Sequence, residues 1–356
     1  MESNNTIAFD KQTSWDERLK DANIPVVHVL ESKRAKWVMP EWMKGWIALI
    51  PALVFLTIFM IYPIINTFMM SFCNNFYWVG NSGSSFVITN YIAAMQNTRA
   101  GIKLSWGFDN YIAVLKDPVF LSALKNTGLI VIVSVPCTIV VGLAIAVCLN
   151  AIKPLQGFFQ TVFFLPYVTN TIALGMVFSA IFSPNSGGMF NALFHLGNHN
   201  WLNIYADYWS MFFVIVVYSI WNGIAFKILV FMSGLSSIDK QYYDAARIDG
   251  SSKFTIFRRI TVPLLSPQIL YITITSFIGA CKSYSQIISL FGGGSKDFGG
   301  IDKNKWITVV GYIVKLIDST NDSAQGRGAA GCVILLIIVL IITLIQFAVS
   351  KTKVHY

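Results

Sequence analysis

Residues 126–151 read NTGLIVIVSVPCTIVVGLAIAVCLNA, 26 positions without one charged side chain. About 20 apolar residues in a helix cross a bilayer core, and only a helix or closed barrel leaves no backbone group unpaired in lipid. The stretch predicts a membrane-spanning helix. Five more such runs flank it, at 46–68, 157–183, 208–236, 264–290 and 328–350; the only charges in them are Lys227 and Lys282. Composition agrees: 55% of residues are hydrophobic and 12% charged, with a mean hydropathy of +0.60. A soluble domain carries about 25% charged residues, and a disordered chain needs low hydrophobicity and high charge. The expected fold class is an all-α integral membrane protein of six transmembrane helices, with kinks at Pro51, Pro63, Pro136 and Pro166 that neighbouring helices can tolerate.

Of the 26 Lys and Arg, fifteen fall in the N-terminal tail, the second-to-third and fourth-to-fifth loops and the C-terminus. Eight fall in the opposite loops, and Lys125, Lys227 and Lys282 lie in or beside spans. Basic loops stay cytoplasmic, which predicts both termini inside. The long last outer loop holds five positive charges against this bias, but the rule is strongest for short loops. The net charge of +9 thus belongs to topology and not to a nucleic-acid surface. Residues 1–45 read as a cytoplasmic tail rather than a signal peptide, and 46–353 as the membrane domain. The five cysteines form no C-x-x-C pair, so neither a disulfide framework nor a zinc site is expected.

One cytoplasmic loop has internal order. Residues 237–263 read SIDKQYYDAARIDGSSKFTIFRRITVP. Asp239 can cap a helix through Ile248, and Gly250 sits where a left-handed residue would end it. A second short helix fits Lys253 to Ile260, and Pro263 opens the next span. Tyr242, Ala245, Ala246 and Asp249 share one face, and the two alanines admit close approach by another protein. The rival reading is an amphipathic helix lying on lipid headgroups, which the basic residues favour.

Asp244-Ala245-Ala246, three residues, Gly250, nine residues, Ile260, one residue and Val262-Pro263 resemble the EAA loop of ABC importer permeases, E-A-A-x3-G-x9-I-x-L-P. Asp244 stands for Glu and Val262 for Leu, which keeps charge and apolarity. WGFDNYIAVLKDPVFLSALKNTG, FFLPYV, IWNGIAFKILVFMSGLSSI and FGGGSKDF are similar to segments of the maltose-type (MalF-like) sugar permeases. The resemblance runs from about Trp46 to Lys353. It implies a six-span permease subunit of a bacterial-type plasma (inner) membrane, moving a carbohydrate, most simply an oligosaccharide, by alternating access. Asp244, Ala245, Ala246, Gly250, Ile260 and Pro263 would then form the coupling loop that docks on an ABC ATPase dimer. The implied partners are that ATPase pair, a second related permease and an extracellular or periplasmic substrate-binding protein. ATP and Mg would sit on the ATPase, leaving this chain without a cofactor or a catalytic role. Consistent with this, no G-x-x-x-x-G-K-[ST] loop is present, and Gly292-Gly293-Gly294 reads as a flexible turn.

The resemblance also brings Trp221, Asn222, Gly223, Ser276, Ala280 and Ser283 to substrate-lining positions, with Tyr284 one step away. Aromatic faces suit sugar C–H surfaces, and hydroxyls and amides suit sugar O–H groups. The competing reading is helix-to-helix bonding for the serines and packing against a partner for Trp221. Lys227 and Lys282 read as snorkelling residues, one toward the inner and one toward the outer face; the rival for Lys282 is an attractor of an anionic sugar. His195 and His199 are four apart in an outer loop without a third ligand, which argues for surface or binding-protein contact over metal. The insert at 81–106 offers a further contact for a delivery protein. Two other functions stay open: an importer for a non-sugar solute, and a secondary transporter, though the six runs contain no acidic residue.

Overall fold

Helices account for nearly all of the described chain, as the lipid argument requires. The computed structural model describes residues 40–74, 105–152, 156–184, 188–203, 205–291, 305–319 and 324–353. The tail up to residue 39, the outer insert up to residue 104 and the glycine run 292–294 lie outside the described residues. The chain divides into two units, Met1–Thr57 and Ile58–Tyr356.

In the first unit α1, Glu41–Leu56, buries none of its side chains. A π-helical stretch, Thr57–Ile61, leads on to α2, Tyr62–Phe72, and the helical run Glu41–Phe72 has 32 residues. In the second unit β1, Cys73–Asn74, pairs antiparallel with β2, Ser105–Trp106. Then follow α3 (Asp109–Lys116), α4 (Pro118–Ala151), α5 (Gln156–Val168), α6 (Thr171–Ile181), α7 (Met189–Phe194) and α8 (Tyr208–Ser237). The loop expected on the cytoplasmic side, the inner loop of the sequence reading, carries α9 (Lys240–Ile248) and α10 (Lys253–Ile256). A second π-helical stretch and α11 (Val262–Leu264) lead to α12 (Ser266–Cys281), α13 (Ser285–Leu290), α14 (Val309–Ile317) and α15 (Ala324–Lys353).

Four helical runs are long and apolar enough to cross a membrane, and two bent pairs bring the number to as many as six. The pair α5–α6 bends by 98°. Pro166 removes a helix donor, and four residues later Asn170 leaves helical geometry (ψ 124°). The Asn170 side chain accepts from the backbone N–H groups of Ile172 (2.8 Å) and Ala173 (3.4 Å), which caps α6. Pro136, by contrast, is accommodated inside the unbroken α4. The run expected as a span at 264–290 is also interrupted: a 66° bend sits at Leu265, and α12 ends at Cys281, before α13.

Two large apolar clusters, with a smaller one of Val131, Val135 and Cys281, hold the second unit together. The outer one joins Phe120, Ile130, Met211, Tyr218, Ile287 and Trp306 among others. The inner one joins Ala146, Leu149, Ile224, Ile228, Phe231 and Leu265. Part of the last outer loop is folded into the outer cluster. Asn126 donates from Nδ2 to the carbonyls of Lys305 (3.1 Å) and Ile307 (2.9 Å), and accepts from the Tyr208 hydroxyl (2.9 Å). Trp306 Nε1 donates to the Tyr208 carbonyl (3.0 Å), and Tyr312 donates to Asp117 (2.8 Å). Burial, and then the Asp117 carboxylate, push the Tyr312 phenol well above its ordinary value.

Candidate functional site: the inner loop and the broken spans

The inner loop forms a helix with its own start and stop. Asp239 accepts from the Gln241 N–H (3.0 Å) and so caps α9. At the other end Gly250 has φ +70°. Its N–H bonds to the Arg247 carbonyl (3.1 Å), and the next N–H, of Ser251, reaches back to Ala246 (3.0 Å). These two bonds form a Schellman ending, which needs a left-handed residue and so favours glycine. Ser252 then caps α10 through the Thr255 N–H (3.2 Å).

Along α9 the residues expected to share a face do so. Tyr242, Ala245, Ala246 and Asp249, with Asp239, Gln241 and Ile260, line an open cleft of about 470 Å³. Ala246 is buried, while Asp244, Ala245 and Gly250 are exposed and Ile260 and Pro263 half-buried. Asp244 pairs with Arg247 at 3.3 Å, both side chains largely in solvent. Ile248, 87% exposed, is an apolar side chain facing outward with nothing on it. The Tyr243 hydroxyl lies 3.4 Å from Thr261 Oγ1, which ties the loop to the base of the following span.

The substrate-lining candidates fall on α8, on α12 and in the break that follows α12. Trp221, Asn222 and Gly223 are consecutive on α8, so their side-chain directions differ by about 100° per step. Trp221 is exposed and Asn222 half-buried. Gly223 is turned to α4: a Cβ there would lie 3.1 Å from both Lys227 Nζ and Thr138 Cγ2. Gly223 therefore serves close packing of α8 on α4. Ser276 and Ala280 are half-buried on α12. Ser283 is buried in the break after α12, where its carbonyl accepts from Thr308 Oγ1 (2.9 Å) and its own hydroxyl has no partner. Tyr284 leaves helical geometry (φ −139°) and packs on the outer cluster. Lys282 is exposed at the end of α12.

Lys227 departs from expectation. Its Nζ lies beside Gly223, one turn back toward the middle of α8, and not toward the inner face. His195 and His199 do not converge on a metal: among the described residues no group of three or more ligating side chains occurs. His199 instead meets Ser210 (3.1 Å) and the Trp201 ring.

Sequence reasoning passed over Trp306 and α14. The fully buried Trp306 and the run Val309–Ile317, with Tyr312 and Ile313 buried, lie in what reads as an ordinary outer loop. The apolar patch around them was the signal.

The chain is similar to known transport proteins. Residues 138–354, more than half of the chain, match the family described as binding-protein-dependent transport system inner membrane component. The chain is 30% identical over 310 residues to the arabinooligosaccharides transport system permease protein AraP of Bacillus subtilis, covering 84% of this chain and 86% of that one. It is 28% identical over 316 residues to the lactose transport system permease protein LacF of Rhizobium radiobacter, covering 87% and 95%. Its fold matches a chain of a bacterial alginate ABC transporter, solved in complex with an alginate pentasaccharide-bound periplasmic protein. That match has a TM-score of 0.68, 19% identity, and covers 88% of this chain and 96% of that one. With its several apolar membrane-length helices, the chain belongs to the binding-protein-dependent transport system inner membrane components, as a permease of the ABC importer type.

Proposed function

We propose that this chain is one of two permease subunits of an ATP-driven carbohydrate importer, with an oligosaccharide as cargo. The relatives named for arabinooligosaccharide and lactose transport support that cargo. The tail and C-terminus lie on the cytoplasmic side in this reading, and α9 is the handle on which an ABC ATPase pulls. The observation that carries it is the cleft lined by Tyr242, Ala245, Ala246, Asp249 and Ile260 on a helix capped at both ends. A free-standing helix this short is marginal in water, so its caps matter more than its length. Small side chains at Ala245 and Ala246 let a second protein approach the backbone, and exposed Ile248 and Asp244 offer it an apolar and a charged contact.

The chain itself performs no covalent chemistry in this reading; ATP and Mg belong to the ATPase, and the second permease completes the path. A binding protein delivers the sugar at the outer side. The breaks at Thr169–Asn170 and Lys282–Tyr284 would lie at membrane depth, where irregular backbone is tolerated only inside protein or along a wet cavity. That favours Ser283 and Tyr284 near the path, with Trp221 and Asn222 on the facing helix. The test is sugar uptake and ATP hydrolysis by the complete transporter in proteoliposomes. Ala245→Asp is expected to leave basal hydrolysis of the ATPase intact and to abolish uptake. Trp221→Ala and Ser283→Ala are expected to lower uptake while leaving assembly intact. Full coupled uptake by Ala245→Asp would remove the coupling role, and unchanged uptake by both other variants would remove the pocket.

A further inference from the structure

We infer that Lys227 is an anion-binding residue of the transport path and that the cargo carries a negative charge, such as a carboxylate, sulfonate or phosphate on a sugar. The inference rests on the carbohydrate-permease reading and narrows it. A lysine in a span ordinarily reaches its ammonium to the nearer headgroups. Lys227 does not. Its Nζ lies 3.1 Å from where a Cβ on Gly223 would be, and Gly223 is at the middle of the 30-residue α8. At 1.5 Å per residue, either end of the helix is roughly 20 Å away, far beyond a lysine stem.

The seam between α4 and α8 is shaped for this placement. Gly142 leaves room for the start of the Lys227 stem, since a Cβ there would lie 2.9 Å from Lys227 Cβ. Gly223 leaves room for the end of the stem. Thr138 Oγ1 lies 3.9 Å from that same Gly223 point, and its hydroxyl donates to the Ser134 carbonyl. Among the described residues Lys227 has no hydrogen-bond or ion-pair partner, and the six apolar runs contain no carboxylate. It is half-buried, so part of the side chain remains accessible at the edge of the seam. A cation at mid-membrane with no carboxylate in any of the six runs is costly to keep unless an anion visits it. A cargo anion would complete the site only while in transit.

The experiment uses the full transporter in proteoliposomes with its binding protein. It compares uptake of a neutral trisaccharide, maltotriose, with that of a uronate trisaccharide, trigalacturonate, for the wild type, Lys227→Met and Lys227→Arg. The wild type is expected to take up the uronate sugar. Lys227→Met is expected to lose that uptake by about tenfold or more, and Lys227→Arg to retain most of it, since a single unmatched charge in a span is worth a factor of that order. Basal ATP hydrolysis and binding-protein affinity, measured alongside, should not change. Equal losses for neutral and charged sugars, or undiminished uronate uptake by Lys227→Met, would overturn the assignment. Uptake of neutral sugar alone by the wild type overturns this inference and leaves the permease reading standing. Uptake of neither sugar, with hydrolysis still coupled to another solute, overturns the carbohydrate reading and this inference with it.

Discussion

The outer end of the second unit and its inner loop are built on opposite plans. At the outer end, α4, α8 and α14 are joined by side-chain bonds between residues far apart in sequence, with Asn126 serving two carbonyls and one hydroxyl. Trp306 stacks on Tyr208 and Phe212, with ring centroids at 4.4 and 5.3 Å. The inner loop satisfies its backbone locally, through Asp239, Gly250 and Ser252, and leaves its outward face bare. One region is held by what it buries, and the other holds its own shape so that something else can hold it. In the proposed coupling role, such a part has to be rigid without being occupied, and local capping would achieve that.

Variants at four positions sharpen or break this contrast. Trp306→Ala should have the largest effect, a loss of about 3–5 kcal/mol for a buried aromatic, read as a lowered melting temperature in detergent. Asn126→Leu leaves two carbonyls and the Tyr208 hydroxyl without their partner, and should cost about 1–3 kcal/mol by the same measurement. If it melts like the wild type, the outer end is not held as described. Gly250→Val puts a β-branched residue at φ +70°, a strain of about 1–2 kcal/mol. It should lower the melting temperature less than Trp306→Ala does yet uncouple hydrolysis from uptake, with Gly250→Asn milder because asparagine tolerates that geometry. Asp244→Asn should be the smallest for stability, within about 1 kcal/mol, because its pair with Arg247 is solvent-exposed. A fall in uptake without any change in melting would locate its partner on another chain.

The apolar runs and the inner loop were legible because their signals are local. A run of uncharged residues is a property of the stretch itself, and Asp239 and Gly250 act on backbone groups only a few residues away. The bend at Thr169–Asn170 was placed near Pro166 but not at its true position, because a single capping Asn inside an apolar run gives little contrast. The break at Lys282–Tyr284 depends on Thr308, some 25 residues further on, taking the Ser283 carbonyl. The Lys227 placement depends on glycines of two different helices, Gly142 beside the start of its stem and Gly223 beside its end. Such pairings are set by the packed body, and no window along the chain contains them.

The two-residue pairing of Cys73–Asn74 with Ser105–Trp106 has a consequence for how the outer surface can vary. Its register sets Asn74 opposite Ser105, so the polypeptide departs and returns at neighbouring points. Buried Asn110 rivets the spot by donating to the carbonyls of Ser71 (3.1 Å) and Cys73 (2.9 Å). An epitope inserted between those points is expected to leave the flanking helices in register, read as unchanged uptake by the tagged chain.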